Sequence, residues 1–369
     1  MAKRKTVCII GCGVSGLSTA HLLQERGWDV TLYSKDKPRE TILKPDFCSL
    51  FPAASIIPHS IYYDALHEIF MQSRQYFNHL FEQRFPGLKV HEHFELFADK
   101  RSFPQYASMM NNFQSLDDFR SGFHPFHPDI TIQSGWKFEC FFADWTLYFP
   151  ALIERVLANG AKLHIEDLSP GNLLQLPFEY IINCSELGSM KLFQDDDNLI
   201  QRGHILNVID APLLLNPEGK TVSYNFSPGA DVYQSEAGNQ QDVYCYPRSN
   251  GWVLGGSRQQ GELDWSGNWT GEVNIEPVSE INGMKVPSQI LELNSKIIQN
   301  TFGINPGNYS NIKSKLGYRY IRKTKDGLRL ETEEINDKLI IHNYGHGGAG
   351  VTLSWGCALK AADLLEEAF

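Results

Sequence analysis

No run in the sequence approaches the roughly 20 uninterrupted apolar residues that a membrane-spanning helix requires, so no such span is expected. Positive charge is scarce. Across 369 residues, 33 Lys and Arg stand against 43 Asp and Glu, a formal net charge of −10, which argues against nucleic acid as the main partner. The seven cysteines, Cys8, Cys12, Cys48, Cys140, Cys184, Cys245 and Cys357, are odd in number, dispersed, and contain no C-x-x-C pair. That speaks against a disulfide framework and for a reduced, cytoplasmic setting. A G-x-S-x-G elbow is missing, since Gly13-Val14-Ser15-Gly16 is one residue too short, and Ser-based nucleophilic catalysis loses its support. There is no internal repeat. A peroxisomal tripeptide is not expected from Glu367-Ala368-Phe369. Lys3-Arg4-Lys5 before Val7-Cys8-Ile9-Ile10 mimics a signal peptide, but glycines at 11, 13 and 16 break the apolar run, so the segment reads as mature protein.

What is present is globular. Hydrophobic residues make up 42% of the chain, which excludes a disordered or collagen-like polymer, and the length suits two domains or one interrupted by another. Thr6 to Ile10 is β-branched and apolar, Ser15 to Arg26 is helix-like, Gly27 is a stop and Asp29 to Tyr33 alternates, which together spell a βαβ unit. A second helical pattern runs from about Tyr62 to Arg84 and ends at Pro86-Gly87. From His91 to Phe142 the texture changes to alternating, aromatic, Pro-punctuated segments, as in antiparallel strands. Helix returns at Trp145 to Leu157 and buried strand at Tyr180 to Cys184; residues 199 to 318 are strand-like apart from a helix near Ile290 to Ile298; the end is strand, Gly-rich turn and helix. The expectation is an α/β domain of three segments, 1–59, 141–198 and 319–369, interleaved with a mainly antiparallel α+β domain of two, 60–140 and 199–318.

Two glycine-rich turns carry the functional signal. Gly11-Cys12-Gly13-Val14-Ser15-Gly16 is a G-x-G-x-x-G between a strand and a helix. Gly11 permits the tight turn, Gly13 lacks the Cβ that would block a pyrophosphate, and Gly16 lets helix and strand pack closely. Backbone N–H groups at the helix start then face the diphosphate, aided by the helix dipole. The acidic residue for the ribose hydroxyls is best supplied by Asp36 in Tyr33-Ser34-Lys35-Asp36; Lys35 keeps open a ribose phosphate and hence NADP. The second turn, His342 to Thr352, lies between the strand Leu339 to Ile341 and a helix around Trp355 to Leu365. A flavin, held along its whole length, gains from such a turn near its ring.

These residues resemble the D-amino-acid oxidases. His342 to Gly348 with Gly350, then Trp355-Gly356-Cys357-Ala358-Leu359, is similar to that family's C-terminal signature. Ala53-Ala54, Asn183-Cys184-Ser185, Arg202-Gly203, Tyr244 to Pro247, Gly255-Gly256 and Gly317-Tyr318-Arg319 fall in the family's order. The resemblance implies a Rossmann-like FAD-binding domain of three discontinuous segments interleaved with a substrate domain. It implies cofactor contacts at Gly11, Gly13, Val14, Ser15, Gly16, Ser34, Lys35, Asp36, Ser49, Ala54, Ser55, Leu168 and Ser185. At the other end they would be Arg319, Gly345, Gly347, Gly348, Ala349, Gly350, Val351 and Thr352. It further implies oxidation of a D-amino acid, with O₂ as acceptor, giving a 2-oxo acid, ammonia and H₂O₂. Arg319 would bind the substrate carboxylate bidentately, Tyr244 would add a phenolic hydrogen bond, and the Gly348 carbonyl would accept from the amine. Hydride would pass from the α-carbon to flavin N5 with no protein base, positioning supplying most of the catalysis.

Several positions leave alternatives open. Tyr320 stands where the family usually has Pro, Gln240 where it often has a second Tyr, Ala349 where an aromatic is frequent, and Ile57-Pro58 where a Gln is common near the flavin. Substrate range is thereby widened to glycine, proline-like or pathway-specific amines, to a dehydrogenase, or to a flavin-holding protein without turnover. Arg322 rivals Arg319, and Tyr244 with Tyr246 also suits plain packing. His91 and His93 share a strand face as in some metal sites, yet no third ligand stands at diagnostic spacing, and no metal is expected. His346 suits structural hydrogen bonding or catalysis, and Cys184 and Cys357 suit packing near the cofactor. The polar segment from about Pro217 to Gln241 suits a lid, from which Tyr224 or Tyr233 would swing in. A homodimer stays open.

Overall fold

The computed structural model describes residues 5–39, 44–59, 65–196, 199–264, 267–273, 275–323 and 327–369. The chain divides into two compact units: Met1–Leu88, Leu147–Ile200 and Tyr318–Phe369 form the first, Lys89–Thr146 and Gln201–Gly317 the second.

The sheet of the first unit has the strand order Arg329–Ile335, Lys338–Tyr344, Tyr180–Asn183, Thr6–Ile10, Asp29–Ser34, Lys162–Ile165. Neighbours pair in parallel except the outermost, Arg329–Ile335, which runs antiparallel to Lys338–Tyr344. Thr6–Ile10 and Tyr180–Asn183 are nearly continuous in apolar residues because a central parallel strand is covered on both faces. Lys162–Ile165, at the edge, exposes Lys162 and His164, whose polarity blunts a free edge. Cys8, Ile10, Leu168, Leu173, Ile181 and Ile340 form one apolar cluster of this unit. Helix Val14–Glu25 is buried from Val14 through Leu23, its small polar residues Ser15, Ser18 and Thr19 included, and Gly27 ends it at φ 79°.

The expected division changes in two places: residues 141–146, expected in the first domain, fall in the second unit, and the stretch up to Leu88 falls in the first. The texture of residues 60–140 suits the second domain, but the helix Leu66–Glu82 belongs to the first unit; the start of its pattern, Tyr62 to Asp64, lies outside the described residues. Its buried stripe, Ile69, Phe70, Ser73, Phe77 and Leu80, packs on the terminal helix Gly350–Ala368. There Tyr76 stacks on Trp355 at 4.2 Å, the Ser73 hydroxyl donates to the Thr352 carbonyl at 2.6 Å, and a Cβ on Gly356 would lie 2.0 Å from the Ile69 carbonyl oxygen. An amphipathic stripe states that a face will be buried without naming its partner.

The second unit carries a large, mainly antiparallel sheet. Its order is Trp269–Gly271, Gln259–Leu263, Leu199–Ile209, Gly251–Gly255, Val243–Arg248, Val222–Ser227, Leu88–Phe97, Ser134–Ala143, Asn111–Ser115, with Ile312–Ile321 pairing onto Leu199–Ile209. Leu88–Phe97 and Val222–Ser227 form a parallel pair. Helix Ser288–Phe302 sets Ile290, Leu293, Ile297 and Ile298 into a core with Leu206, Val208, Val222 and Phe226, and Gly303 caps it in the left-handed conformation at φ 67°.

The expected lid is only partly loop. Val222–Ser227 is a strand inside the sheet, and Tyr224 is fully buried with its hydroxyl donating to Asn294 Oδ1 at 2.8 Å. Tyr233 is 1% exposed and donates to the Gly256 carbonyl at 2.8 Å. Both tyrosines are packing residues, since swinging out would strand a buried hydrogen bond as well as an aromatic ring.

Candidate functional site

The first glycine turn has the geometry its spacing predicts. Gly11 sits at φ 104°, and a Cβ there would lie 2.3 Å from the Cys184 carbonyl oxygen; on Gly16 it would lie 2.0 Å from the Gly11 carbonyl oxygen. Both positions therefore exclude any side chain, one by conformation and contact, the other by contact alone. On Gly13 a Cβ would press on the Ser49 hydroxyl, at 2.9 Å, with Ser49 Cβ and the Phe47 ring at ordinary contact distance. Gly13, at the start of the helix that follows, offers no side-chain cap, and the first turn has no acidic residue, so an anion meets no negative charge at the helix's positive end. Ser49 contributes here: its Oγ accepts the Val14 N–H at 2.9 Å.

Around this turn, the Ser34 hydroxyl donates to the Asp36 carbonyl at 2.7 Å, Asp36 pairs with Lys44, and Lys35 pairs with Asp46 at 3.2 Å. Asp36 is thus held at the end of the second strand while Lys35 is turned to a different carboxylate. Ala54 takes φ 71°, and the next carbonyl, of Ser55, accepts from the Thr352 hydroxyl at 3.2 Å. Leu168 is buried in the apolar cluster beneath the sheet, so its side chain serves the core.

The second glycine turn is tied to the sheet by a polar network. Gly345 and Gly347 have φ of 85° and 54°, Gly347–Ala349 forms a short 3-10 turn with Gly348 exposed and Ala349 buried, and helix Gly350–Ala368 begins there without an acidic residue or side-chain cap. Val351 and Thr352 are buried in its first turn. Asn183, at the end of the adjoining strand, accepts from the Ser185 N–H and hydroxyl at 3.1 and 2.6 Å and turns its amide nitrogen to Ser189 and to His342 Nδ1, each at 3.1 Å. Because that nitrogen donates, His342 Nδ1 accepts; Nε2 carries the hydrogen and donates to Glu333 at 2.9 Å. His342 is neutral, its pKa lowered to about 4 by burial and by the Arg329 charge, against the pull of Glu333.

His346 is the opposite case. Its Nδ1 faces Glu186 Oε1 at 2.5 Å and its Nε2 faces Asn343 Oδ1 at 3.0 Å. Burial acts to lower its pKa, but the Glu186 charge and hydrogen bond, with Cys357 beside it, push it up to about 10. Neither Glu186 nor Asn343 was singled out from the sequence. Glu186 finds its partners about 160 residues along the chain, and the Asn343 amide is oriented by Thr19 in the first helix, so no local pattern marks either.

Arg319 is half-buried in Ile312–Ile321, next to Tyr318, whose carbonyl accepts the Cys48 thiol at 2.6 Å. Burial raises the Cys48 pKa, with Glu186 and Asp46 adding to the effect and Arg319 opposing it. The rival, Arg322, is paired with the nearly buried Asp195 at 3.3 Å, and Asp195 also accepts from the Tyr344 hydroxyl.

In the second unit Tyr244 lies cross-strand from Gly255, and a Cβ on that glycine would fall 2.0 Å from the phenol ring. Tyr246 shares its face at 5.3 Å, is buried, and donates to Asn225 at 2.8 Å. The two histidines of the metal-like pattern are packing residues. His91 stacks on Phe142 at 4.2 Å with its pKa lowered by burial to about 3, and His93 stacks on Tyr246 while bonding Ser223 at 2.9 Å. No group of three or more potential ligands occurs among the described residues. Likewise no helix there is long and apolar enough to cross a membrane.

An FAD suits the first unit on its geometry: glycines where a Cβ has no room, and two helix N-termini without acidic residues, meet the needs of a dianionic pyrophosphate and a ring laid against backbone. Comparison with known proteins agrees. Residues 6–364 match the family described as FAD dependent oxidoreductase. The chain is 28% identical to human D-aspartate oxidase, over 98% of this chain and 94% of that protein. It is 26% identical to the D-amino-acid oxidase of Rubrobacter xylanophilus, over 96% and 94%. Among solved structures, glycine oxidase from Geobacillus kaustophilus superimposes with a TM-score of 0.65 at 15% identity, over 98% of this chain and 94% of that one, a likeness of fold. Strand order, glycine turns and sequence match converge: the chain belongs to the FAD dependent oxidoreductase family, with the D-amino-acid oxidases among its relatives, and FAD is its cofactor.

Proposed function

We propose that the protein oxidatively deaminates a D-amino acid, the first unit holding FAD and the second contributing to substrate selection. The observation that carries this reading is the nearly full-length likeness to proteins named D-aspartate oxidase and D-amino-acid oxidase. Gly11, Gly13 and Gly16 with the start of Val14–Glu25 would hold the pyrophosphate, Asp36 the ribose, and the Gly345–Gly350 turn the ring. Bound FAD supplies the hydride acceptor and the site at which O₂ is reduced to H₂O₂.

The chain's own residues bind and orient. Arg319 presents a guanidinium fork that takes a carboxylate bidentately and fixes the rotation of the amino acid. The carbonyl of the exposed Gly348 accepts from the substrate amine, which aligns the α-hydrogen. Tyr244, its ring braced on Gly255 and Gly256, offers a phenol to the substrate. The amino acid loses two electrons and two protons to become an imine, and water converts the imine to a 2-oxo acid and ammonia. Arg322, engaged by Asp195, is the weaker candidate for the carboxylate.

The test is an anaerobic absorbance titration with D-, L- and imino acids, glycine included, followed by admission of air. Bleaching by a D-amino acid, with recovery and peroxide in air, supports the reading; bleaching by L-amino acids or glycine alone overturns it. Arg319→Met is expected to keep flavin yet lose about a hundredfold or more in kcat/KM, since two charge-assisted hydrogen bonds vanish. Near wild-type kinetics would remove Arg319 from the site.

A further inference from the structure

Glu186 occupies a backbone position that suits glycine. Its φ is 48°, in the left-handed region, where a residue with a Cβ is strained. Such strain persists only where surrounding contacts over-determine it. The contacts here are specific: Glu186 Oε2 accepts from the Gly345 N–H at 3.0 Å and Oε1 from His346 Nδ1 at 2.5 Å.

Across the imidazole, Nε2 meets Asn343 Oδ1 at 3.0 Å, and the orientation of that amide is set because its nitrogen donates to Thr19 Oγ1 at 3.3 Å. Thr19 in turn donates to the Ser15 carbonyl at 2.7 Å, and the Ser15 hydroxyl lies 3.4 Å from His346 Nδ1. Both ring nitrogens therefore face acceptors, so both carry hydrogens and His346 is an imidazolium. The titratable groups facing the pair are few: Cys48, Cys184 and Tyr320 beside Glu186, and Cys357 beside His346. One network thus joins the first glycine turn, through Ser15 and Thr19, to the second, through Gly345 and His346.

We infer that Glu186 is a positioning residue for the cofactor: its carboxylate grips the Gly345 N–H and the His346 imidazolium, and so presets the second glycine turn, relative to the first, in the shape that receives FAD. The inference rests on FAD being the cofactor and needs no particular substrate. The strain at Glu186 is then the cost of placing a charge where a glycine would leave the turn untied.

The test uses full-length holoenzyme labelled with ¹⁵N-histidine, as wild type, Glu186→Gln and Glu186→Gly, with His346→Asn to assign the ring signals. Wild type is expected to show His346 doubly protonated from pH 6.5 to 8.5, with a flavin dissociation constant, read from flavin fluorescence on dilution, that is flat across that range. Glu186→Gln preserves an acceptor for Gly345 but not the charge. His346 should then be neutral at pH 7.5, and flavin should dissociate about tenfold more readily, the loss of one charge-assisted hydrogen bond. Glu186→Gly relieves the backbone and should loosen flavin at least as much. If that variant does not fold, Glu186→Gln decides alone. A neutral His346 in wild type at pH 7.5, or variants that hold flavin as tightly as wild type, would overturn the positioning role. A wild-type chain that takes up no flavin would instead overturn the cofactor assignment and this inference with it, while the imidazole signals still report the pair.

Discussion

Gly16→Ala tests the tightest feature of the cofactor turn. The added Cβ would sit 2.0 Å from the Gly11 carbonyl oxygen, 3.0 Å from its carbon and 3.5 Å from Cys184 Cβ. Ordinary contact begins near 3.4 Å, so helix and turn must separate by about 1.4 Å, and neither partner is a flexible side-chain tip. The helix is buried over ten residues, from Val14 to Leu23, and cannot shift alone. Overpacking of a well-filled interior costs about 1–3 kcal/mol, and a backbone-against-backbone clash belongs at the upper end, about 3 kcal/mol. The same displacement carries the helix N-terminus away from the proposed pyrophosphate seat, so flavin occupancy should fall along with the urea midpoint. Gly27→Ala is the control: at φ 79° with nothing within 4 Å of a Cβ, it should lose about 1 kcal/mol through backbone conformation alone and keep its flavin. Flavin content and urea midpoint for each variant decide the matter. A Gly16→Ala protein with wild-type values of both would refute the close-packing argument.

Acid should expose the neutral state of His342. Its folded-state pKa of about 4 lies below the ordinary 6.5, so its contribution to stability is complete above about pH 6.5 and is lost as the pH falls toward 4. The sum is about 3 kcal/mol, and in His342→Asn the fall in urea midpoint between pH 6.5 and 4 should be correspondingly shallower; an unchanged slope would show that the ring already titrates normally. In the second unit, Gly255→Ala forces the Tyr244 ring off its cross-strand seat, with atoms that would otherwise lie 2.0 to 2.3 Å apart. Steady-state kinetics should show a raised KM with full flavin content, and unchanged kinetics would leave Tyr244 a packing residue.

Parts of this molecule are legible residue by residue because their causes are local. A glycine at φ 104° beside a carbonyl, or at a helix start with no room for a Cβ, imposes its identity on the sequence, and so both glycine turns stand out. Fully covered parallel strands must be apolar throughout, which makes Thr6–Ile10 and Tyr180–Asn183 easy to find. The misreadings share a different cause. The helix Leu66–Glu82 precedes a texture change and looks like the start of the second domain, yet its buried stripe packs on the terminal helix of the first unit. Tyr224 lies in a polar stretch that looks like a lid, yet the sheet and Asn294 bury it.

The sequence alone determined the turn glycines, the opening strand–helix–strand unit with the long helices, and the class of ligand those turns suit, because backbone conformation and side-chain volume act within a few residues. Tertiary structure decided everything that depends on a distant partner. The helix Leu66–Glu82 joined the first unit because the terminal helix offered a flat glycine surface at Gly356. His342 and His346, four residues apart in one motif, took opposite charge states: one meets a donated hydrogen from Asn183, the other meets Glu186 and Asn343 as acceptors. Protonation follows the free energy of the whole surrounding field of charges and hydrogen bonds, and that field exists only once the chain has folded.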